Sequence, residues 1–205
     1  MKKLTLAVVT VAGLALAPTA FAMDDGWYML AGVGRTTSNS DKSTLDSAVA
    51  AAGGVGFSSS LNEPTVYKLQ AGYKINKNFA VEGGYLGSNN EAYTAQGGNL
   101  ATPLNASAHV TGWNVTAVGI LPLSEQFSLL GKLGIANIRG SATVSGGGIT
   151  VSADGTKTSA TYGIGAQYDF TKQFFGRFDV DSYNVGSSTA SDRSTVWMVN
   201  VGFHF

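Results

Sequence analysis

Hydrophobic and polar residues alternate with a period of two in eight segments of the chain. This alternation is typical of β-strands that have one apolar face and one polar face. Strands of about 9 to 14 residues are long enough to cross a bilayer when they are tilted. The pattern therefore predicts an all-β fold, an eight-stranded antiparallel up-and-down transmembrane β-barrel. The predicted strands span residues 26–35, 65–75, 79–87, 108–121, 127–138, 158–170, 174–184 and 195–205.

The connections between these segments alternate between short and long. Outer-membrane barrels have short periplasmic turns and long external loops, so this order predicts both ends of the barrel chain on the periplasmic side. The short connections are 76–78, 122–126 and 171–173, and the long ones are 36–64, 88–107, 139–157 and 185–194. Within the first long loop, residues 43–53 predict a short helix with Ser43 as N-cap and Gly53 as C-cap. Residues 145–148 predict a hairpin tip above the membrane.

The two faces of the predicted strands differ sharply in composition. One carries aromatic and aliphatic residues without a charge, and the other carries the charges together with many glycines. Because an eight-stranded barrel is only wide enough inside for side chains to fill it, bulky rings are expected outside and charges inside, in a polar, filled lumen. The aromatic residues at the strand ends are expected to form girdles at the two membrane interfaces. These are Trp27, Tyr73, Phe79, Tyr85, Trp113, Phe127, Tyr168, Phe174 and Trp197.

The inward charges balance one another and are expected to form a network in the lumen. It contains Lys68, Lys74, Glu82, Lys132, Asp169, Arg177, Asp179 and Asp181. Breaking a buried ion pair leaves an uncompensated charge, so a structural role explains these residues before catalysis does. We therefore expect a structural or surface-interaction protein, not an enzyme, without a metal or cofactor. A gated pore for ions or small solutes is the alternative.

The start of the chain has the features of a secretory signal. Lys2 and Lys3 precede an apolar run from Leu4 to Ala17, and Ala20-Phe21-Ala22 fits a cleavage site. The prediction is a signal peptide at 1–22 followed by a barrel domain at 23–205, located in the outer membrane of a Gram-negative cell. The chain has no cysteine, which excludes disulfides, and its 13 cationic and 13 anionic residues give no support for nucleic-acid binding.

Four segments resemble strands of the OmpA-type outer-membrane barrel family. They are the sequences at 26–34, 71–85, 162–168 and 201–205. The resemblance implies an integral outer-membrane barrel in which an inward Glu82 faces Arg177. Val118 and Gln167 stand where the better-known member has a further inward Lys and Glu, so its charge-switch gate is not implied. The peptidoglycan-binding domain of the two-domain members is not matched, so anchoring to the cell wall is not implied.

The last predicted strand resembles the signal that the outer-membrane assembly machinery reads. Phe203 and Phe205 are its aromatic residues, and Phe205 is expected to lie beside Trp27 at the periplasmic interface. The expected partners are this machinery, outer-membrane lipid and lipopolysaccharide. An unknown surface ligand of the long loops is a further expected partner.

A second alternative is a lipid A modifying enzyme. Ser107 and His109 share the lipid-facing side of a strand near its outer edge, where such an enzyme would meet its substrate. A serine nucleophile needs a base within hydrogen-bond reach and a carboxylate that orients the base. Glu91 is the carboxylate near them in the sequence, and Ser107 and His109 are expected to be dispensable.

Overall fold

The computed structural model describes residues 26–37, 42–62, 64–89, 91–184 and 193–205. These residues form ten β-strands and one helix. In chain order they are β1 (Gly26–Thr37), α1 (Lys42–Ala51), β2 (Ser58–Asn62), β3 (Thr65–Asn76), β4 (Phe79–Ser88), β5 (Glu91–Gln96), β6 (Leu104–Pro122), β7 (Phe127–Gly146), β8 (Ile149–Asp169), β9 (Phe174–Asn184) and β10 (Arg193–His204). The predicted signal peptide at 1–22 lies outside the described residues.

Eight of the strands close into a barrel, so the predicted architecture is confirmed. The order around the barrel is β1-β3-β4-β6-β7-β8-β9-β10, with β10 returning to β1, and every neighbouring pair is antiparallel. The closing pair runs from Tyr28 opposite His204 to Thr37 opposite Thr195. A closed barrel satisfies the backbone hydrogen bonds of each strand from its two neighbours and leaves no free edge.

The three short turns share one device. Asn76, Ser124 and Thr171 each begin a turn, and the side-chain oxygen of each accepts hydrogen bonds from backbone N–H groups two and three residues later. Such local bonds replace the ladder bonds that the chain loses where it reverses direction. The turns therefore fix the register of the strands that they join.

Alternate residues of the barrel strands point in opposite directions, as the sequence predicts. In β3, Tyr67 and Leu69 are about half exposed on the outer surface, whereas Lys68 and Gln70 are buried in the lumen. No helix in the described part of the chain combines the length and the apolar character needed to cross a membrane.

The prediction of long loops at 88–107 and 139–157 is wrong, because both ranges consist largely of β-strand. β6 begins at Leu104, and β7 and β8 continue as one hairpin to a tip at Gly147 and Gly148, whose φ angles are 61° and 79°. Two positive φ values define the tight hairpin turn that glycine favours, so the predicted tip is confirmed. The extensions are rich in Ser, Thr and Gly, and backbone pairing holds them without the apolar alternation that marks a strand in a sequence.

The strand extensions continue the barrel sheet beyond the rim as an open, five-stranded part. Its order is β2-β5-β6-β7-β8, and it uses residues 104–108 of β6, 139–146 of β7 and 149–156 of β8. We call this sheet together with α1 the rim platform. Val49 of α1 packs with Tyr93 and Ala95 of β5, and five leucine and phenylalanine side chains and Ala106 surround them. The platform thus has a hydrophobic core of its own.

The helix of the platform begins one residue earlier than predicted. Ser43 lies inside α1, where its carbonyl accepts a hydrogen bond from Ser47 Oγ, and is therefore not the N-cap. The predicted C-cap is confirmed, because Gly53 has a φ of 95° and its N–H donates to Ala50 O. The N–H of Gly54 donates to Val49 O, which completes the paired hydrogen bonds of a glycine-terminated helix.

Candidate functional site

A cluster of charged side chains fills the middle of the lumen. Each member is at most 7% exposed. The structure brings together six of the eight residues expected there, which we call the lumen cluster: Lys68 of β3, Glu82 of β4, Lys132 of β7, and Arg177, Asp179 and Asp181 of β9. The cluster is electrically balanced, because it contains three cations and three carboxylates.

Two lysines bridge the aspartates of β9. Lys68 Nζ lies 2.8 Å from Asp181 Oδ2 and 3.3 Å from Asp179 Oδ2. Lys132 Nζ lies 2.7 Å from Asp179 Oδ1, and 3.8 Å from both Glu82 Oε2 and Asp181 Oδ1. These contacts tie β3, β4 and β7 to β9 across the barrel. Each charge of the cluster except that of Arg177 therefore lies within 4.0 Å of two or more opposite charges.

Arg177 and Glu82 form the densest contact of the cluster. Arg177 Nη1 donates to Glu82 Oε1, which also accepts a 2.7 Å hydrogen bond from Tyr28 OH. The Nε and Nη2 atoms of Arg177 both donate to Gln167 Oε1, at 3.1 and 2.9 Å. The guanidinium also lies 5.3 Å from the ring centroid of Phe175, within the range of a cation–π interaction. Tyr28 and Phe175 are members of this site that the sequence analysis missed.

Glycines make the space that the cluster occupies. A Cβ atom on Gly163 would lie 2.2 Å from Asp181 Oδ1, and one on Gly165 would lie 2.5 Å from Asp179 Oδ1. Real Cβ atoms do not approach oxygen so closely, so a side chain at either position would push the aspartate out of its ion pairs. Charges and glycines share one face of the strands because charged side chains such as these aspartates need the space that a neighbouring glycine leaves free.

The other two expected members, Lys74 and Asp169, lie apart from the cluster at the short-turn end of the barrel. Asp169 Oδ1 accepts a 2.8 Å hydrogen bond from Gln167 Nε2 and lies 3.7 Å from His204 Nε2. Lys74 is half-buried near the same end of β3. Alternation assigns both to the inward face correctly, but distance along the barrel axis separates them from the six.

Apolar layers lie on both sides of the lumen cluster, so the expectation of a polar lumen is wrong in part. Towards the short turns the layer consists of Tyr28, Leu30, Ala80, Val118, Leu130 and Phe175, with Ile120 beside it. Towards the long-loop end it consists of Val66, Leu86, Ala136, Ile138, Tyr183, Val196 and Met198, with Val110 beside it. These residues share the inward parity of the charges. The lumen is therefore a packed core with a charged centre between two apolar layers.

The expected girdle residues lie on the outer surface of the barrel. Trp27, Tyr73 and Phe79 lie at the short-turn end, and Tyr85 and Trp113 lie towards the rim. The other girdle positions are Phe127, Tyr168, Phe174 and Trp197. All but Phe127 are more than 40% exposed. The structure also places Phe205 beside Trp27, because its N–H donates to Trp27 O at 3.0 Å, and places the Phe203 ring between those of Phe174 and Phe205.

The residues proposed for a lipid A modifying enzyme do not share one face. Glu91 is directly opposite Ala108 in the pair of β5 and β6, and directly opposed residues of antiparallel strands point to the same side. Ser107 and His109 flank Ala108 in the chain, so their side chains lie on the other side of the sheet. Glu91 is therefore not placed to orient His109. Among the described residues, no group of three or more His, Asp or Glu side chains could hold a metal.

A hydrogen-bonded acid joins α1 to the external sheet of the platform. Asp46 Oδ1 accepts a 2.7 Å hydrogen bond from Tyr93 OH, and Asp46 Oδ2 lies 2.7 Å from Lys42 Nζ. Hydrogen bonds from Lys42, Ser59 and Tyr93 lower the pKa of Asp46 to about 2. Burial, followed by the bond to Asp46, raises the pKa of Tyr93. The folded pKa of Asp46 is below its unfolded value of 3.8. The stability that Asp46 adds to the packing of α1 on β5 is therefore present above pH 4 and is lost as the pH falls towards 2.

We expect Tyr93→Phe to raise the pKa of Asp46 towards its unfolded value, because one of three hydrogen bonds to the carboxylate is lost. The measurement is a carboxyl carbon NMR titration between pH 1.5 and 6. Tyr67→Phe, which removes a hydroxyl from the outer wall of the barrel, is the control and is expected to leave the titration unchanged. An unchanged Asp46 pKa in Tyr93→Phe would contradict the contact.

Comparison with known proteins agrees with this architecture. Residues 5–205 match the family described as the outer membrane protein beta-barrel domain. The chain belongs to this family. Its members' location places the protein in the outer membrane of a Gram-negative bacterium. The placement of the short turns on the periplasmic side and of the rim platform outside the cell stays a prediction from the loop lengths. No curated protein matches the chain.

Solved structures of small outer-membrane barrels are similar to this fold. The attachment invasion locus protein Ail of Yersinia pestis, in complex with the heparin analogue sucrose octasulfate, is 19% identical with a TM-score of 0.56, and the match covers 89% of this chain and all of Ail. A second Ail structure is 20% identical with a TM-score of 0.52, covering 88% and 97% of the two chains. The N-terminal barrel of OprF from Pseudomonas aeruginosa is 15% identical with a TM-score of 0.49, covering 88% and 99%. At these identities the likeness concerns the fold.

Proposed function

We propose that this outer-membrane barrel is a surface-interaction protein whose rim platform binds a partner outside the cell. The observation that carries the proposal is the platform itself. Its five strands continue the barrel sheet beyond the membrane and hold α1 over a separate hydrophobic core. A barrel that served only to fill the membrane would not need an ordered domain above it.

The packing of the lumen supports a role at the surface in preference to transport. An open ion or solute pathway is a continuous water-filled lumen, and a hydrophobic constriction closes it by excluding water. Here two apolar layers cross the lumen, and the charges between them pair with one another. We therefore expect no conductance from the intact protein in planar bilayers. Stable channel openings would favour the alternative of a gated pore.

The platform surface favours a protein partner over a sulfated sugar. Val144 lies opposite Ala106 and Val151, and Ala106 lies opposite Tyr93. Opposed residues point to the same side of a sheet, so these side chains share one face of the platform, which α1 covers near Tyr93. Over β7 and β8 that face is uncovered among the described residues, and Ile149 is 68% exposed. Exposed apolar patches of this kind mark interaction surfaces.

The basic residues of the platform give less support for binding an anionic sugar. Arg139 Nη2 lies 4.0 Å from Asp154 Oδ2, and Lys42 is paired with Asp46. These cations are therefore partly neutralised by neighbouring acids. The Ail structure with sucrose octasulfate makes heparin the natural comparison ligand for the experiment.

The test removes part of the platform and leaves the barrel intact. Residues 140–155 are replaced by Asn-Gly between Arg139 and Thr156, which are directly opposite each other, so a two-residue turn preserves the register. We expect the truncated protein to insert normally and to lose binding to immobilised extracellular-matrix proteins. The readout is the binding of protein in lipid nanodiscs to a panel of such proteins and to heparin.

The matched control is Arg139→Gln with Asp154→Asn, which removes the exposed ion pair but keeps the apolar face. This variant is expected to bind like the unchanged protein. Equal binding by the truncated and unchanged proteins would contradict the proposal, as would binding of the unchanged protein to heparin alone.

A further inference from the structure

We propose that the external mouth of the barrel is a binding site for a small, uncharged, ring-shaped apolar molecule. A cavity of about 160 Å³ lies between the outer apolar layer of the lumen and the rim platform. The side chains of Val66, Leu86, Ile138, Tyr183 and Val196 form its inner wall, and its outer rim includes Thr36, Ser88, Glu91 and Ser194. This site is separate from the uncovered face of β7 and β8 and does not depend on the proposed platform function.

The cavity exists because the barrel has a fixed width and its side chains change size along the axis. In the apolar layer, large side chains fill the cross-section, as they must in a barrel of eight strands. In the next layer outwards four of the inward positions hold Thr36, Ser88, Ala108 and Ser194, which are all small. These side chains cannot reach across the same cross-section. No described residue fills this space, and protein interiors seldom leave such space empty, so the small residues here need an explanation.

The chemistry of the walls selects an apolar occupant. The five wall residues are between 3% and 6% exposed, and four of them are aliphatic. Tyr183 turns its hydroxyl towards Asp181 Oδ2, at 3.5 Å, and Asp181 is paired with Lys68. Ser88 Oγ at the rim already accepts a hydrogen bond from Val110 N at 3.0 Å. The inner wall therefore offers few free polar groups, and the Glu91 carboxylate at the rim disfavours an anion.

The size of the cavity selects a compact occupant. An apolar cavity of roughly 150 Å³ in another protein stays free of water and binds benzene. The cavity here has nearly the same volume. A long acyl chain would extend far beyond it, whereas a six-membered ring would fill it. We therefore assign the site to small aromatic or alicyclic molecules.

The experiment uses benzene as the probe and the full barrel in lipid nanodiscs. Methyl resonances of Val66, Leu86, Ile138 and Val196 are followed by NMR during the titration, together with those of Val199 on the lipid-facing surface. We expect saturable shifts at the four wall residues and only a linear drift at Val199, because benzene dissolved in lipid does not saturate. Benzoate, which has the same ring and a charge, is expected to produce no saturable shift.

Filling the cavity provides the matched variants. Ala108→Leu and Ser194→Leu each add a side chain to the cavity, and either is expected to abolish the saturable shifts. Ala117→Leu makes the same change as the first on the lipid-facing side and is expected to leave them intact. Gel mobility with and without heating shows that each variant is folded. A lack of saturation in the unchanged protein, or equal saturation in a folded filled variant, would overturn the proposal.

Discussion

Replacement of Arg177 by Met is expected to destabilise the barrel by about 3 to 5 kcal/mol, the usual cost of removing one partner from a buried ion pair. Glu82 is fully buried, and its Oε1 atom would retain only the hydrogen bond from Tyr28. Lys132 Nζ, 3.8 Å from Glu82 Oε2, would still attract the carboxylate but is too distant to donate the hydrogen bond that the guanidinium makes. Gln167 would also lose both hydrogen bonds that it accepts from Arg177.

The measurement is the free energy of unfolding in urea, with the barrel in lipid vesicles. A second variant, Glu82→Met with Arg177→Met, removes both charges and is expected to recover a substantial part of the loss, because no single charge is left buried. Arg139→Met is the surface control. Arg139 and Asp154 are each at least 60% exposed, so its effect is expected to stay within about 0.5 kcal/mol. Equal losses in the single and double variants would contradict the expectation that an unpaired, buried Glu82 causes the loss.

The barrel was predictable from sequence because every strand in the membrane must carry the same two-faced pattern. Predicted and observed bounds of the strand at 174–184 coincide, and those at 79–87 differ by one residue. The platform strands were missed for a physical reason. Outside the membrane, both faces of a strand can meet water, so the sequence there is not obliged to alternate. Pairing of β2 with β5 and of β5 with β6 is also set by three-dimensional contacts that local sequence does not encode.

The sequence predicts which residues face the lumen, but it does not predict how they are arranged in layers along the barrel axis. Lys68 and Lys74 share one face of β3, yet only Lys68 reaches the aspartates of β9. The height of a residue in the barrel depends on the stagger between strands, which the sequence of one strand does not contain. The ring of Tyr28 packs in the apolar layer, and its hydroxyl donates a hydrogen bond to Glu82. The stagger between the strands brings this hydroxyl to the level of the charged site. The small residues at the cavity come from four separate strands, so the sequence of any one strand does not predict the cavity either.

Deletion of Phe205 is expected to reduce insertion into the outer membrane severely, with degradation in the periplasm. Phe205 follows β10, and its N–H donates to Trp27 O at 3.0 Å, at the end of the seam where β10 closes on β1. The deletion leaves that carbonyl unpaired at the membrane boundary, where an unsatisfied backbone group costs free energy. It also removes a ring that packs edge-on against Phe203 at a centroid distance of 5.3 Å. Because closure of this seam completes the barrel, both losses act on the step that commits the chain to the membrane.

Membrane fractionation of cells that produce each variant measures the effect. Phe205→Tyr is expected to insert normally, because a tyrosine ring also favours the interface and its backbone makes the same bond. Phe170→Ala is the matched control, because Phe170 is a similarly exposed aromatic residue at the same end of the barrel and lies outside the closing seam. If the loss came from one fewer aromatic ring at the interface, Phe170→Ala would insert as poorly as the deletion. If closure of β10 on β1 is the decisive step, only the deletion variant fails to insert. Normal levels of the deletion variant in the outer membrane would refute the role of Phe205.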